Sequence, residues 1–199
     1  LASFIYEKVC ELREGATFEQ LDMSVPMEIR NKATKQYKIN YLNLCFMKAL
    51  WMRRFDVLNS IVREIDSEVR AHGPKSEFVY STLFINGYYN ILFYSTYVNQ
   101  NVQNAIKVYN FIKPYLEADE DMNGKRVLAY YQFYIQKSPE HAAITISEAL
   151  DALETNRNPL FTEAEKNLER RLIEELRDNM SRVMNQGVEE MPIIPNTFE

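Results

Sequence analysis

The stretch INYLNLCFMKALWM, Ile39 to Met52, is apolar on almost every side at helical spacing. The stretch that follows, FDVLNSIVREIDSEV, Phe55 to Val69, is apolar on one face only. The first carries Leu42, Leu44, Cys45, Phe46, Ala49, Leu50 and Trp51, the pattern of a helix wedged between neighbours. The second repeats Leu58, Ile61, Val62, Ile65 and Val69, the stripe of a helix packed on one side. The two read as a pair of antiparallel helices, a hairpin. A lone hairpin cannot bury its own apolar side, so the pattern asks for further hairpins stacked on it.

Two more follow downstream. A helix from Ser76 to about Tyr97 pairs with Val102 to Leu116, where Pro114 removes a backbone donor and predicts a kinked or frayed last turn. Lys125 to Gln136 pairs with Pro139 to Glu154, opened by Ser138 as N-cap and Pro139 at the first helical position. Gly73 and Pro74 end the Phe55 helix, and Asn158 with Pro159 turns the chain after the third pair. Thr162 and Glu165 form a capping box for a final helix to about Val183, with Leu168, Leu172, Ile173, Leu176 and Met180 on one stripe. Its other face is charged, as a helix closing the end of a stack requires.

Upstream, Ser3 to Glu14 is a helix stopped by Gly15, and Thr17 with Gln20 predicts a short capped helix to about Met23, closed by Pro26. The first hairpin helix is expected to run from Ile29 to Arg53. The expected organisation is N-terminal helices over 1–28, a helical repeat domain over 29–185 and an extended tail over 186–199. In that tail Met191 to Ile194 form an apolar stretch among Pro192 and Pro195.

Placed in register, the second helices read Phe55-x-x-Leu58, Val102-x-x-Ala105 and Pro139-x-x-Ala142. Leu58 to Ala105 is 47 residues and Ala105 to Ala142 is 37. On these residues, from about Ile39 to Glu154, the chain resembles the tetratricopeptide-like helical-hairpin superfamily. Phe55 with Leu58, and Val102 with Ala105, stand where that family prefers Tyr and Ala; Ala149 takes its second small position. The spacings exceed the family's usual repeat of about 34 residues, and its Trp-Leu-Gly pattern is missing from the first helices. The resemblance implies an all-α, right-handed stack of about three antiparallel helix pairs, with N-terminal helices and a C-terminal capping helix. It also implies a concave face that binds a peptide or partner helix.

Composition narrows the function. The chain has 199 residues, a formal net charge of −5 and scattered Lys and Arg, without the basic footprint nucleic-acid binding needs. No apolar run approaches the roughly 20 residues that span a bilayer. Two cysteines, Cys10 and Cys45, are too few for a disulfide framework, which makes a cytoplasmic setting the expectation. That expectation holds for this stretch alone, since the sequence begins with Leu1 rather than Met.

Enzymatic and metal schemes find no support. Asp119-x-Asp121-x-Asn123-Gly124 begins like a calcium loop, but the twelfth position, where a bidentate carboxylate belongs, is Tyr130; it reads as a polar turn. His72 and His141, the two histidines, have Val69 and Ser138 three residues before them, which fits neither zinc-protease nor di-iron spacing. Glycine-rich phosphate loops and nucleophile signatures are absent, so no cofactor, metal site or catalytic residue is expected.

The aromatic residues carry the remaining signal. Tyrosines and phenylalanines crowd at Tyr80 to Tyr97 and at Tyr130 to Tyr134, on first helices, which line the inner face of a stack of this type. Tyrosine combines contact area with one hydrogen-bonding tip. The candidate partner-binding residues are therefore Asn43, Asn86, Tyr89, Asn90, Tyr97, Tyr130, Gln132 and Tyr134, with packing between hairpins as the competing role. The expected function is a non-enzymatic scaffold binding a protein or peptide; the alternative is an oligomerisation module burying its aromatic surface in a homodimer.

Overall fold

A computed structural model describes residues 1–71 and 82–186, which form helices, turns and connections without a strand among them. The helices are α1 (Ala2–Arg13), α2 (Met27–Lys32), α3 (Lys35–Trp51), α4 (Phe55–Arg70), α5 (Thr82–Phe93), α6 (Val102–Leu116), α7 (Met122–Tyr134), α8 (Pro139–Thr155) and α9 (Glu163–Gln186); a π-helical turn, Tyr94–Val98, extends α5. The expected starts at Ser76, Gly73-Pro74 and Tyr80, together with His72 and the tail beyond Gln186, lie outside the described residues. Contacts divide the chain into two compact units. One holds Leu1–Ile91 and Pro159–Glu165; the other holds Leu92–Asn158 and the chain from Lys166.

In the first unit α3 lies along α4, and α1 packs on α3. The seam of α4 is Leu58, Val62, Ile65 and Val69, all buried at spacings of four, three and four, against Ile39, Leu42, Phe46 and Leu50 of α3. Gly87 is what lets α5 approach: a methyl there would meet Ile65 at 3.2 Å, Val69 at 3.4 Å and Ile39 at 3.7 Å. The long helix expected over 29–53 is broken. Ala33 and Thr34 are extended, at ψ 154° and 155°, which ends α2 and sets Thr34 before α3. Thr17 to Gln20 make a single turn rather than a helix, yet the Thr17 amide does donate to the Gln20 side chain at 2.9 Å.

In the second unit α7 lies along α8, the π-helical turn meets both α6 and α7, and α6 meets α7. Ala105, Ala142 and Ala149 are fully buried, as small residues at close helix crossings are. From α9 the buried stripe is the expected one, Leu168, Leu172, Ile173, Leu176 and Met180. Helix α6 runs through Pro114 to Leu116. At the start of α9 the capping box forms: the Thr162 hydroxyl and amide both donate to Glu165 at 2.8 Å.

One feature repeats that no glycine announces. Arg53, Gln100 and Lys137 all sit in the left-handed region, at φ 54°, 50° and 55°. Each stands two residues before the first residue of a second helix, Phe55, Val102 or Pro139. After α3 the turn is a Schellman motif, in which the Arg54 amide donates to Ala49 O at 2.8 Å and the Arg53 amide to Leu50 O at 3.0 Å. The register found in the second helices therefore has a counterpart in backbone geometry at all three turns.

Candidate functional site

The candidate residues read from the sequence fall in different units, and nearly all of them face inward. In the first unit Asn43 and Asn90 are buried and bonded to each other, Asn90 Nδ2 donating to Asn43 Oδ1 at 2.9 Å; Tyr89 is buried beside them in sequence and Asn86 is half-buried. In the second unit Tyr97, Tyr130 and Tyr134 are buried and Gln132 is half-buried. Six of the eight, Asn43, Tyr89, Asn90, Tyr97, Tyr130 and Tyr134, thus stand where the competing role, packing, places an amide pair bonded to each other and tyrosines without exposed rings.

The reason lies in the geometry of the second unit. Tyr130 meets Phe93 edge-on at 4.8 Å and Tyr97 at 4.9 Å, and Tyr97 meets Tyr134 at 5.2 Å, spacings at which aromatic pairs attract. Two of the hydroxyl tips are held by α9: Tyr130 donates to Leu172 O at 2.7 Å, and Asn179 Nδ2 donates to the Tyr134 oxygen at 2.9 Å. Burial pushes the Tyr130 phenol well above its ordinary pKa, with neighbouring Tyr97 adding to it, and burial likewise raises Tyr134. Tyr109 of α6 stacks on Tyr131 of α7 at 4.1 Å, with the planes 14° apart.

Beside the rings lies a buried ion pair. Arg126 Nε donates to Glu169 Oε2 at 2.5 Å, and its Nη2 donates to Glu169 Oε1 at 3.1 Å and to Asn123 Oδ1 at 2.7 Å. The guanidinium lies over the Phe93 ring, 4.8 Å from its centre, and both charged side chains are under one-tenth exposed. Nη1 has no hydrogen-bond partner among the described residues. The arrangement fixes α7 to α9 and holds the aromatic cluster in place; it is a structural centre.

The chemical motifs resolve the same way. Asp119 Oδ1 accepts from the Asp121 amide at 2.8 Å, and Asn123 is turned toward Arg126. A methyl at Gly124 would overlap the Asp119 carboxylate, and Tyr130, at the loop's twelfth place, is buried in the core, so the loop is a polar turn leading into α7. Among the described residues no group of three metal-binding side chains comes together. Burial raises the Cys45 thiol to about 11, which leaves it protonated at neutral pH. Ser138 Oγ lies 2.6 Å from His141 Nδ1 at the exposed start of α8, with no carboxylate on the ring among the described residues. A cleft of about 60 Å³ in the first unit is lined by Arg30, Lys38, Tyr41, Glu64 and Glu68, its cations paired with its carboxylates.

What the second unit does present is the two flanks of α6. Val102, Ile106, Phe111 and Tyr115 are 50%, 41%, 41% and 38% exposed on that single helix. At about 100° per residue, Val102 and Ile106 edge one flank and Phe111 and Tyr115 the other, with Ala105, Val108, Ile112 and Leu116 buried between. The sequence signal was available: these four apolar residues fall off the buried stripe of an otherwise amphipathic helix. No described helix is long and apolar enough to cross a membrane. Comparison with family models, with curated proteins and with solved structures finds no match for this chain.

Proposed function

We propose that this chain is a non-enzymatic scaffold of tetratricopeptide-like hairpins that binds a protein or peptide. The observation that carries the reading is on α6, where four large apolar side chains stay exposed along the two flanks of a helix whose inward stripe is complete. The repeated left-handed residue before each second helix supports the tetratricopeptide-like construction, because one turn geometry recurs at one register. The reading departs from the resemblance in one respect: the binding residues belong to a second helix, not to the candidate tyrosines of the first helices, Tyr89, Tyr97, Tyr130 and Tyr134, which are buried.

The test is selection of peptides from a random display library against the whole chain, followed by hydrogen-exchange footprinting. Selected peptides are expected to protect α6, and the pair Val102→Asp, Ile106→Asp should weaken them at least tenfold while leaving the circular dichroism spectrum unchanged. Peptides that bind this double variant as tightly as the parent would remove the reading.

A further inference from the structure

Between Leu21 and Ile39, both fully buried, no residue of the chain is buried. Residues 22–34 of that stretch form a loop, the six-residue α2 and the extended Ala33-Thr34 link. Helix α2 is far below the roughly 12–15 residues at which a helix holds itself in water. It buries no side chain, and its apolar residues, Met27 and Ile29, are exposed. The backbone is extended on either side of it, at ψ 135° for Pro26 and 154° for Ala33.

What holds the stretch is a short set of polar contacts. The Tyr41 hydroxyl of α3 donates to Met23 O at 2.7 Å. Arg30 pairs with Glu64 of α4 and lies over the Tyr41 ring, 5.1 Å from its centre. Among the side chains of α2, Arg30 alone makes such a pair, and Glu64 is half exposed, so water and salt weaken it. Arg30 and Asn31 also form one wall of the cleft of about 60 Å³, opposite Lys38 and Tyr41 of α3 and Glu64 and Glu68 of α4. The Cys45 thiol, one turn further along α3, is bonded to the Tyr41 side chain.

We infer that residues 22–34 are a strap that opens from the first unit while the α3–α4 pair stays folded, with Arg30 as its latch, and that opening uncovers Tyr41 and the Cys45 thiol. The seam of α3 and α4 takes no side chain from the strap, so release leaves that seam whole. Release gives up one half-exposed ion pair, one cation–π contact and one hydrogen bond, and the chain regains the conformational freedom of the whole stretch. Such a balance places opening at the low end of a protein's range of local stabilities. Two of the strap's contacts fall on Tyr41, which is why the ring and the thiol bonded to it are what opening frees. High salt, which weakens the pairing of Arg30 with Glu64, releases the latch.

The experiment is native-state hydrogen exchange of the full chain read by mass spectrometry, with Cys45 alkylation by iodoacetamide at pH 8 read by peptide mapping. The amides of Ile29, Arg30 and Ala33, which donate within the strap, should exchange through openings insensitive to low urea, while the core amides of α3 and α4 follow the urea dependence of global unfolding. Arg30→Met should speed exchange over 22–34 and alkylation of Cys45 about tenfold, with α3 and α4 unchanged. Sodium chloride at about 1 M should speed both in the parent and leave the variant unaffected. The reversed pair Arg30→Glu with Glu64→Arg should slow exchange and alkylation again. Strap amides that share the urea dependence of α3 and α4 would overturn the inference. So would exchange in Arg30→Met equal to the parent's, or a rise that spreads equally through α3 and α4. Faster strap exchange with Cys45 alkylation unchanged would overturn the uncovering of the thiol.

Discussion

Replacing Arg126 with methionine keeps most of the side-chain volume and removes the cation, leaving Glu169 buried without its partner. Glu169 is 7% exposed and takes two hydrogen bonds from Arg126, at 2.5 and 3.1 Å. Breaking a buried pair from one side costs roughly 3–5 kcal/mol, because the desolvation of the surviving charge is no longer offset. The guanidinium also leaves the Phe93 ring, a contact worth on the order of 0.5–2 kcal/mol that falls within that range. Against a whole-protein stability of about 5–15 kcal/mol the loss is large. It is read by urea unfolding followed by near-ultraviolet circular dichroism of the tyrosines, with the slope held fixed. Arg126→Met is expected to lose about 3–5 kcal/mol, and Arg126→Met with Glu169→Met to recover most of it, since two apolar groups replace two charges. A loss under about 1 kcal/mol in the single variant, or no recovery in the double, would refute the reasoning.

Three further outcomes follow from the geometry. Gln100→Gly and Lys137→Gly should each stabilise by about 0.5–1 kcal/mol in urea melts, because glycine relieves the left-handed backbone at φ 50° and 55°; destabilisation would mean that those side chains make compensating contacts. The buried phenols of Tyr130 and Tyr134 have folded pKa values above the ordinary 10.0, so their contribution is fully present below pH 10.0 and is lost as pH rises through the folded values. Absorbance near 295 nm should therefore show these phenols ionising together with loss of near-ultraviolet dichroism above that pH, rather than before it. Cys45, with its thiol at about 11, should resist iodoacetamide at pH 8 in the folded chain and react fully in urea, as peptide mapping would report.

Local periodicity made the helices legible, and nonlocal packing decided what their side chains do. Helix α6 and the starts of α4 and α8 fall where the apolar register and Ser138-Pro139 put them, because caps and stripes are written in a few adjacent residues. The break at Ala33-Thr34 was missed because neither residue is a helix breaker, and the extended backbone there is a tertiary outcome. The left-handed turn residues were missed for a related reason: Arg53, Gln100 and Lys137 occupy positions where glycine would have been the visible sign. Tyrosines on first helices look alike whether they line a groove or a core. The α9 groups that hold Tyr130 and Tyr134, Leu172 O and Asn179, lie 42 and 45 residues further along the chain. Arg126 gave no sign of its burial either, since Glu169 is 43 residues away.

On the proposed reading a partner meets the exposed apolar flanks of α6. Methyl-labelled nuclear magnetic resonance reads this most directly, because Val102 and Ile106 are exposed while Val108 and Ile112 of the same helix are buried. Titrating a peptide selected against the whole chain should shift the methyls of Val102 and Ile106 progressively while those of Val108 and Ile112 move little. Shifts concentrated in the methyls of the first unit, such as Ile39, Ile65 and Val69, with Val102 and Ile106 unmoved, would contradict it.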